Sequence, residues 1–152
     1  MSPHHLRTRT PADCETVVGW VPDVEALHLF TGPRMTWPLT SGQLSTMEGS
    51  GLSAWMLVAD DTDAALGHFD LTLDGQSARI GRVLIDPARR GHGLAHVLIG
   101  LAMEKTRELG AMELRLNVMV GNEPAIRTYA RAGFIEMEQS DRPDVHVMTR
   151  SM

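Results

Sequence analysis

The run Arg89-Arg90-Gly91-His92-Gly93-Leu94-Ala95 sets two arginines and two glycines just ahead of an apolar stretch with helical spacing. A glycine-rich turn entering a helix leaves several backbone N–H groups unpaired at the positive end of the helix dipole, an arrangement suited to a phosphate or pyrophosphate. Glycine lets the backbone come close to such an anion, and a neighbouring arginine adds charge. The bland alternative is a tight turn that merely needs glycine for its conformation. A second pair is Asn122 and Tyr129, two helical turns apart and so on one face with Ile126. A tyrosine hydroxyl can supply a proton or donate a hydrogen bond to a leaving group. From spacing alone, Tyr129 reads equally well as a half-buried aromatic.

The elements that would position these residues follow from periodicity. Leu6 to Arg9 reads as a short strand, and Thr10-Pro11-Ala12-Asp13 as the cap and first turn of a helix running towards Trp20. Pro22 to Gly51 is interrupted by Gly32, Pro33, Pro38 and Gly42, so short helices and loops are expected, one of them over Ser41 to Met47. Three strands follow: Ala54 to Ala59, Ala65 to Leu73 and Arg79 to Ile85. Asp60-Asp61 and Asp74-Gly75 supply the turns of an antiparallel meander. Leu94, Val97, Leu98, Leu101, Ala102 and Leu109 then recur at helical spacing, closed by Gly110. Leu114, Leu116, Val118 and Val120 alternate as a strand. Asn122 reads as the cap of another helix ending at Gly133, and Phe134 to Glu138 and Val145 to Thr149 read as the last strands. Strand 79–85, helix 93–109 and strand 113–120 make a β-α-β unit, whose strands must be parallel. The class is α+β: a mixed, mainly antiparallel sheet with a parallel pair at its centre and helices around it.

The glycine loop is not a dinucleotide fingerprint. His96 stands where a third small residue is needed, and Glu113, at about the right separation for the acidic partner, begins the second strand instead of ending it. The 152 residues fit one domain with one core, spanning the whole chain. A net charge of −5 weighs against nucleic acid as a partner. No run approaches a membrane span, and the N-terminus lacks a basic-then-apolar export signal. Cys14, the single cysteine, excludes an internal disulfide and fits a reducing cytoplasm. It reads as a small buried apolar residue, and the ten methionines as core filler. No ligand set for a metal stands out. His4-His5 has no companions and reads as a disordered end.

Several of these segments together resemble the GNAT (Gcn5-related N-acetyltransferase) family. Arg90-Gly91-His92-Gly93-Leu94-Ala95 is similar to its pyrophosphate motif Q/R-x-x-G-x-G/A, and Ile85-Asp86-Pro87 to its strand-end V-x-P. Asn122 to Tyr129 resembles its N-x-x-A-x-x-x-Y segment, with Ala125 at the small position, and Arg131-Ala132-Gly133-Phe134 resembles the x-x-G-F that follows. The matches run from about Arg82 to Phe134, and the first 50 residues match in outline only. The resemblance implies transfer of an acetyl group from acetyl-CoA to a primary amine of a small molecule or peptide, by direct attack in a ternary complex. On that reading, N–H groups from Gly91 to Ala95 hold the pyrophosphate, with Arg90 beside them. The edge of Val83-Leu84-Ile85 pairs with the pantetheine arm, and an N–H near Leu84 faces the thioester carbonyl. Asn122 and Ala125 meet the pantetheine arm, and Tyr129 meets the sulfur as general acid. The family often forms homodimers, so a dimer is an open expectation.

A base is also needed, because a lysine-like amine is almost wholly protonated at neutral pH. In some relatives an acidic residue on the strand after the first crossover helix serves; Asn117 stands there and cannot. His68, Asp70, Asp86, His146 and water remain open. That gap motivates a second reading, an acyl-CoA-binding or sensing module without turnover. Of the three tryptophans, Trp55 reads as core and Trp37 as the best candidate for a substrate mouth.

Overall fold

A computed structural model of the chain describes residues 3–31, 35–45, 51–137 and 143–152. Its elements in order are β1 (His4–Thr8), α1 (Pro11–Gly19), α2 (Val24–Thr31), α3 (Ser41–Ser45), β2 (Leu52–Ala59), β3 (Ala65–Asp74), β4 (Ser77–Ile85), α4 (Leu94–Glu108), β5 (Glu113–Met119), α5 (Glu123–Arg131), β6 (Ile135–Glu136) and β7 (Val145–Ser151). They build one seven-stranded sheet of order β1-β2-β3-β4-β5-β7-β6. Every neighbouring pair is antiparallel except β4 and β5, the pair joined through α4. The mixed α+β sheet with its central parallel unit is therefore as expected.

Alternation in the strands sets which side chains face which helices. Ala78 and Ile80 of β4 and Leu114, Leu116 and Val118 of β5 point to the face covered by α4 and α5, where they pack with Leu98, Ile99, Ala102, Tyr129 and Phe134. Met56 and Val58 of β2 point the other way, to a second cluster with Cys14, Val17, Trp20, Val21, Leu27 and Leu44. Two apolar clusters thus stand where the sequence reading expects one core, because helices cover both faces of the sheet. The α1–α3 side is anchored at the end of β1. Thr10 caps α1 in a capping box with Asp13, and Arg7 grips the same carboxylate with two hydrogen bonds, of 2.5 and 3.1 Å. The Arg7 bond, Thr10 and the Arg7 charge hold the Asp13 carboxyl below the usual range, although burial, the largest single influence, pulls it up.

Other expectations need correction. His4 and His5 are not a loose end: they open β1, pairing with Ala59 and Val58, and the His5 ring meets Asp60 at 2.6 Å. Trp55 is only partly buried. Its ring lies beneath the Lys105 ammonium, 4.7 Å from the centroid, and its N–H donates to Ser53. The last hairpin begins with only two paired residues in β6, and Glu138 lies outside the described residues, as does Met47 at the end of the expected helix after Ser41. Trp37 is exposed, as a mouth residue must be, and Cys14 is buried.

Candidate active site

The centre of the sheet opens at one place. β4 and β5 pair only from Ser77–Ile80 against Glu113–Leu116. Beyond that row β4 stays on β3 as far as Ile85, and β5 stays on β7 as far as Met119. Among the described residues, Val83, Leu84 and Ile85 therefore have one backbone edge without a strand partner, facing the like edge of Asn117 to Met119. The divergence coincides with a bulge. His68 is opposite Leu84 and Asp70 is opposite Gly81, so Phe69 alone faces both Arg82 and Val83. A bulge adds local twist and turns the strand away from its neighbour. Arg82 takes φ of 48°, in the left-handed region that side chains other than glycine rarely adopt.

That strained residue is held from two sides. Its side-chain Nε donates to Asp70, and its carbonyl accepts from His68 Nδ1 at 2.9 Å. With Nδ1 as donor, His68 Nε2 accepts from Arg9 Nη1 at 2.9 Å, and Arg9 also reaches the Leu44 carbonyl in α3 at 3.1 Å. Burial pushes the His68 pKa down to about 3, with Arg9 and Arg82 acting the same way and the bond to the Arg82 carbonyl opposing them. Burial also raises the Asp70 carboxyl above the usual range, against the pull of Arg82, Arg9 and Arg79.

At the end of β4, Pro87–Arg89 forms a turn of 3-10 helix capped by Asp86, whose Oδ1 accepts from the Ala88 N–H at 3.0 Å. The glycine loop follows, with Arg90, Gly91, His92 and Gly93 all exposed. Gly91 and Gly93 have φ of 84° and 76°, and Gly93 is the N-cap of α4 without any side chain to cap it. The first bond into the helix runs from the Val97 N–H to the Gly93 carbonyl. Among the described residues, the N–H groups of Gly91 through His96 have no backbone acceptor. They make an open donor nest, with Leu94 and Ala95 half-buried at its base.

α5 approaches the gap from the helical side. Asn122 occupies its N-cap position, but the side chain makes no capping bond, contrary to the expected cap; its amide is left for another partner. Ala125 and Ile126 are half-buried, and Tyr129 is buried, edge-on to Phe134 at 6.1 Å. Among the described residues the Tyr129 hydroxyl has no hydrogen-bond partner, and burial pushes it well above the ordinary tyrosine range, so it stays protonated.

The structure separates the four candidate bases. His68 has both ring nitrogens engaged, and Asp86 caps a turn. His146 sits opposite Val118, hence on the helical face, paired with Glu136. Asp70 lies on the opposite face, ion-paired to Arg82. Asn117 is exposed at the start of the gap. Sequence reasoning missed Arg82 and Arg9. The available signal was His68 and Asp70 themselves: two polar residues on one face of a buried strand require partners. Among the described residues no group of three or more His, Cys, Asp or Glu gathers as for a metal, and no helix is long and apolar enough to cross a membrane.

A parted parallel strand pair beside a donor nest at a helix N-terminus presents unpaired donors along one strand edge and at an anion-favouring end. The profile of the Acetyltransferase (GNAT) family matches residues 25–134, and the chain belongs to that family. It is 35% identical over 82 residues to a mycothiol acetyltransferase of Clavibacter sepedonicus, covering 53% of this chain and 27% of the relative. It is 34% identical over 90 residues to the streptothricin acetyltransferase of Streptomyces lavendulae, covering 57% and 48%. The match thus spans about a quarter to a half of these relatives. The fold is shared over nearly the whole chain with the spermidine N-acetyltransferase of Vibrio cholerae, solved with CoA and spermine, at a TM-score of 0.80 and 18% identity, covering 99% and 96% of the two chains.

Proposed function

We propose that this protein is an acetyl-CoA-dependent N-acetyltransferase that moves the acetyl group directly to a primary amine in a ternary complex. The observation that carries the reading is the β4–β5 gap, with its unpaired Val83–Ile85 edge leading to the open N–H groups of Gly91 to His96. In this reading the nest and Arg90 hold the pyrophosphate, the strand edge pairs with the pantetheine amides, and the Asn122 amide and Ala125 border the same arm. A backbone N–H at Leu84 donates to the thioester oxygen as negative charge develops there. The amine nitrogen attacks the thioester carbon, the carbon–sulfur bond breaks, Tyr129 hands its proton to the departing sulfur, and the phenolate recovers a proton from the nitrogen as the amide forms. Burial keeps the Tyr129 hydroxyl protonated at neutral pH, so it has a proton to give.

The amine must first lose a proton. All four candidate bases are engaged by other groups, Asp70 by its buried ion pair with Arg82, so the reading leaves water to take the proton. The same shortage of a free base favours a second reading, an acyl-CoA-binding module without turnover. Free-thiol release from acetyl-CoA against polyamines, amino acids, aminoglycosides and peptide N-termini separates the two. Release with one class supports transfer; acetyl-CoA binding with silence across the panel supports the module.

A further inference from the structure

The open face of the sheet carries a row of side chains that the transfer reading has not used. Cα partners run from Thr72 of β3 to Arg79 of β4, to Arg115 of β5, to Thr149 of β7. Ala78, Ile80, Leu114 and Leu116 on either side point to α4 and α5, so this row points to the other face. On that face α1–α3 pack over β2 and the Leu84 end of β4, while Arg79, Arg115 and Asn117 are exposed. Two guanidinium groups directly across a strand pair repel one another. Arg115 is compensated by Glu113 at 3.1 Å, and Glu113 is itself held by Thr149 at 2.7 Å and Ser77. Two carboxylates of β3 share this face two residues either side of Thr72: Asp70 is taken by Arg82, and Asp74 stands exposed at the hairpin end without an ion pair to Arg79. Among the described residues Arg79 has no ion-pair partner, in a chain whose net charge is −5. An exposed arginine without an ion pair, next to a second arginine and opposite the Thr72 side chain, is a receptor for an anion.

Resting on the transfer reading above, we propose that Arg79, supported by Arg115, binds a carboxylate or phosphate at the far end of the acceptor, so the substrate is an amine with a remote anionic group. Helices α4 and α5 fill the other face, so an acceptor reaches the gap across this row. Arg79 lies opposite Thr72 and Leu84 opposite His68, four residues of β3 apart, roughly 13 Å along the sheet. The arginine side chain spans part of that interval and the acceptor must span the rest. An α-amino acid, with amine and carboxylate on one carbon, is too short. A polyamine has the wrong charge. A short peptide or a lysine-length aminoalkyl anion fits.

The test compares matched acceptors with the full chain: triglycine against its C-terminal amide, and aminopentyl phosphate against aminopentanol. Acetyl-CoA binding is measured separately by calorimetry. The expected result is a kcat/KM at least about tenfold higher for one anionic member than for its neutral partner, with the two converging in Arg79→Gln. Preference in the peptide pair identifies a carboxylate, and preference in the aminoalkyl pair a phosphate. Equal use of each pair, a preference surviving Arg79→Gln, or turnover confined to polyamines overturns the inference, as does silence from all four with acetyl-CoA bound. Loss of acetyl-CoA binding instead overturns the transfer reading beneath it.

Discussion

His68 Nδ1 donates to the carbonyl of Arg82 across 2.9 Å, tying the middle of β3 to the bulge of β4. Arg82 is where β4 turns out of register, and its φ of 48° costs conformational energy. The imidazole, engaged by Arg9 on its other side, is one of the contacts that hold that conformation. The path therefore runs from α3, through Arg9 and His68, to the edge that would receive the thioester.

This bond makes stability depend on pH in a defined window. The folded pKa of His68 is about 3, whereas an unfolded histidine titrates near 6.5. Below about pH 6.5 the unfolded chain takes up a proton that the folded chain refuses, so stability falls as pH falls through that window. Between pH 7 and pH 5 the loss is about 2 kcal/mol. Urea unfolding at both pH values checks it. His68→Leu is expected to be less stable at pH 7, because it leaves the Arg82 carbonyl unpaired, but to lose less on acidification. An equally steep loss in the variant would assign the pH dependence to other groups.

Asp70 and Arg82 form a buried ion pair, with side chains 4% and 9% exposed. Removing one partner leaves the other charge buried and unmatched, which costs about 3–5 kcal/mol. Asp70→Asn should therefore shift the urea midpoint far more than Glu108→Gln, whose partner Lys105 lies at the surface of α4. Similar shifts in the two variants would mean that Asp70 is not buried with its partner as described.

Tyr129→Phe removes a hydroxyl without a protein partner, so folding should change by less than about 1 kcal/mol. Turnover is expected to fall about 100-fold or more, with acetyl-CoA affinity little altered, since a general acid acts on the transition state. Steady-state kinetics beside calorimetry decide the matter, and wild-type turnover in the variant would remove Tyr129 from the chemistry.

Gly93→Glu sets a carboxylate into the nest and forces a side chain into φ of 76°, although no neighbour within 4 Å obstructs it. Affinity for acetyl-CoA should fall at least about tenfold through repulsion of the pyrophosphate and lost N–H geometry. Gly93→Ala separates the two causes, because it adds strain without charge. If Gly93→Glu binds acetyl-CoA normally, the loop is a turn and nothing more.

Much of this arrangement is legible in the sequence because it depends on local rules. The continuous apolar run of β2 marks a buried strand, the alternating apolar residues of β5 a half-buried one, and the 3.6-residue period of α4 marks the crossover that makes β4 and β5 parallel. Thr10 and Asp13 announce the start of α1 by their capping spacing, and Gly91 and Gly93 mark the nest because only glycine tolerates those dihedrals easily. The tertiary structure decided what depends on register and on distant partners. Whether Asn122 caps its helix, whether His68 is free or clamped between Arg9 and Arg82, and that Arg79 falls opposite Arg115 are set by contacts between residues far apart in the chain. A bulge of one residue at Arg82 shifts side chains along β4 from one face to the other, and no local propensity encodes it. The sequence by itself therefore determined the elements and the glycine nest. The tertiary structure alone determined the gap in the sheet and the charges that border it, because both arise where strands distant in sequence meet.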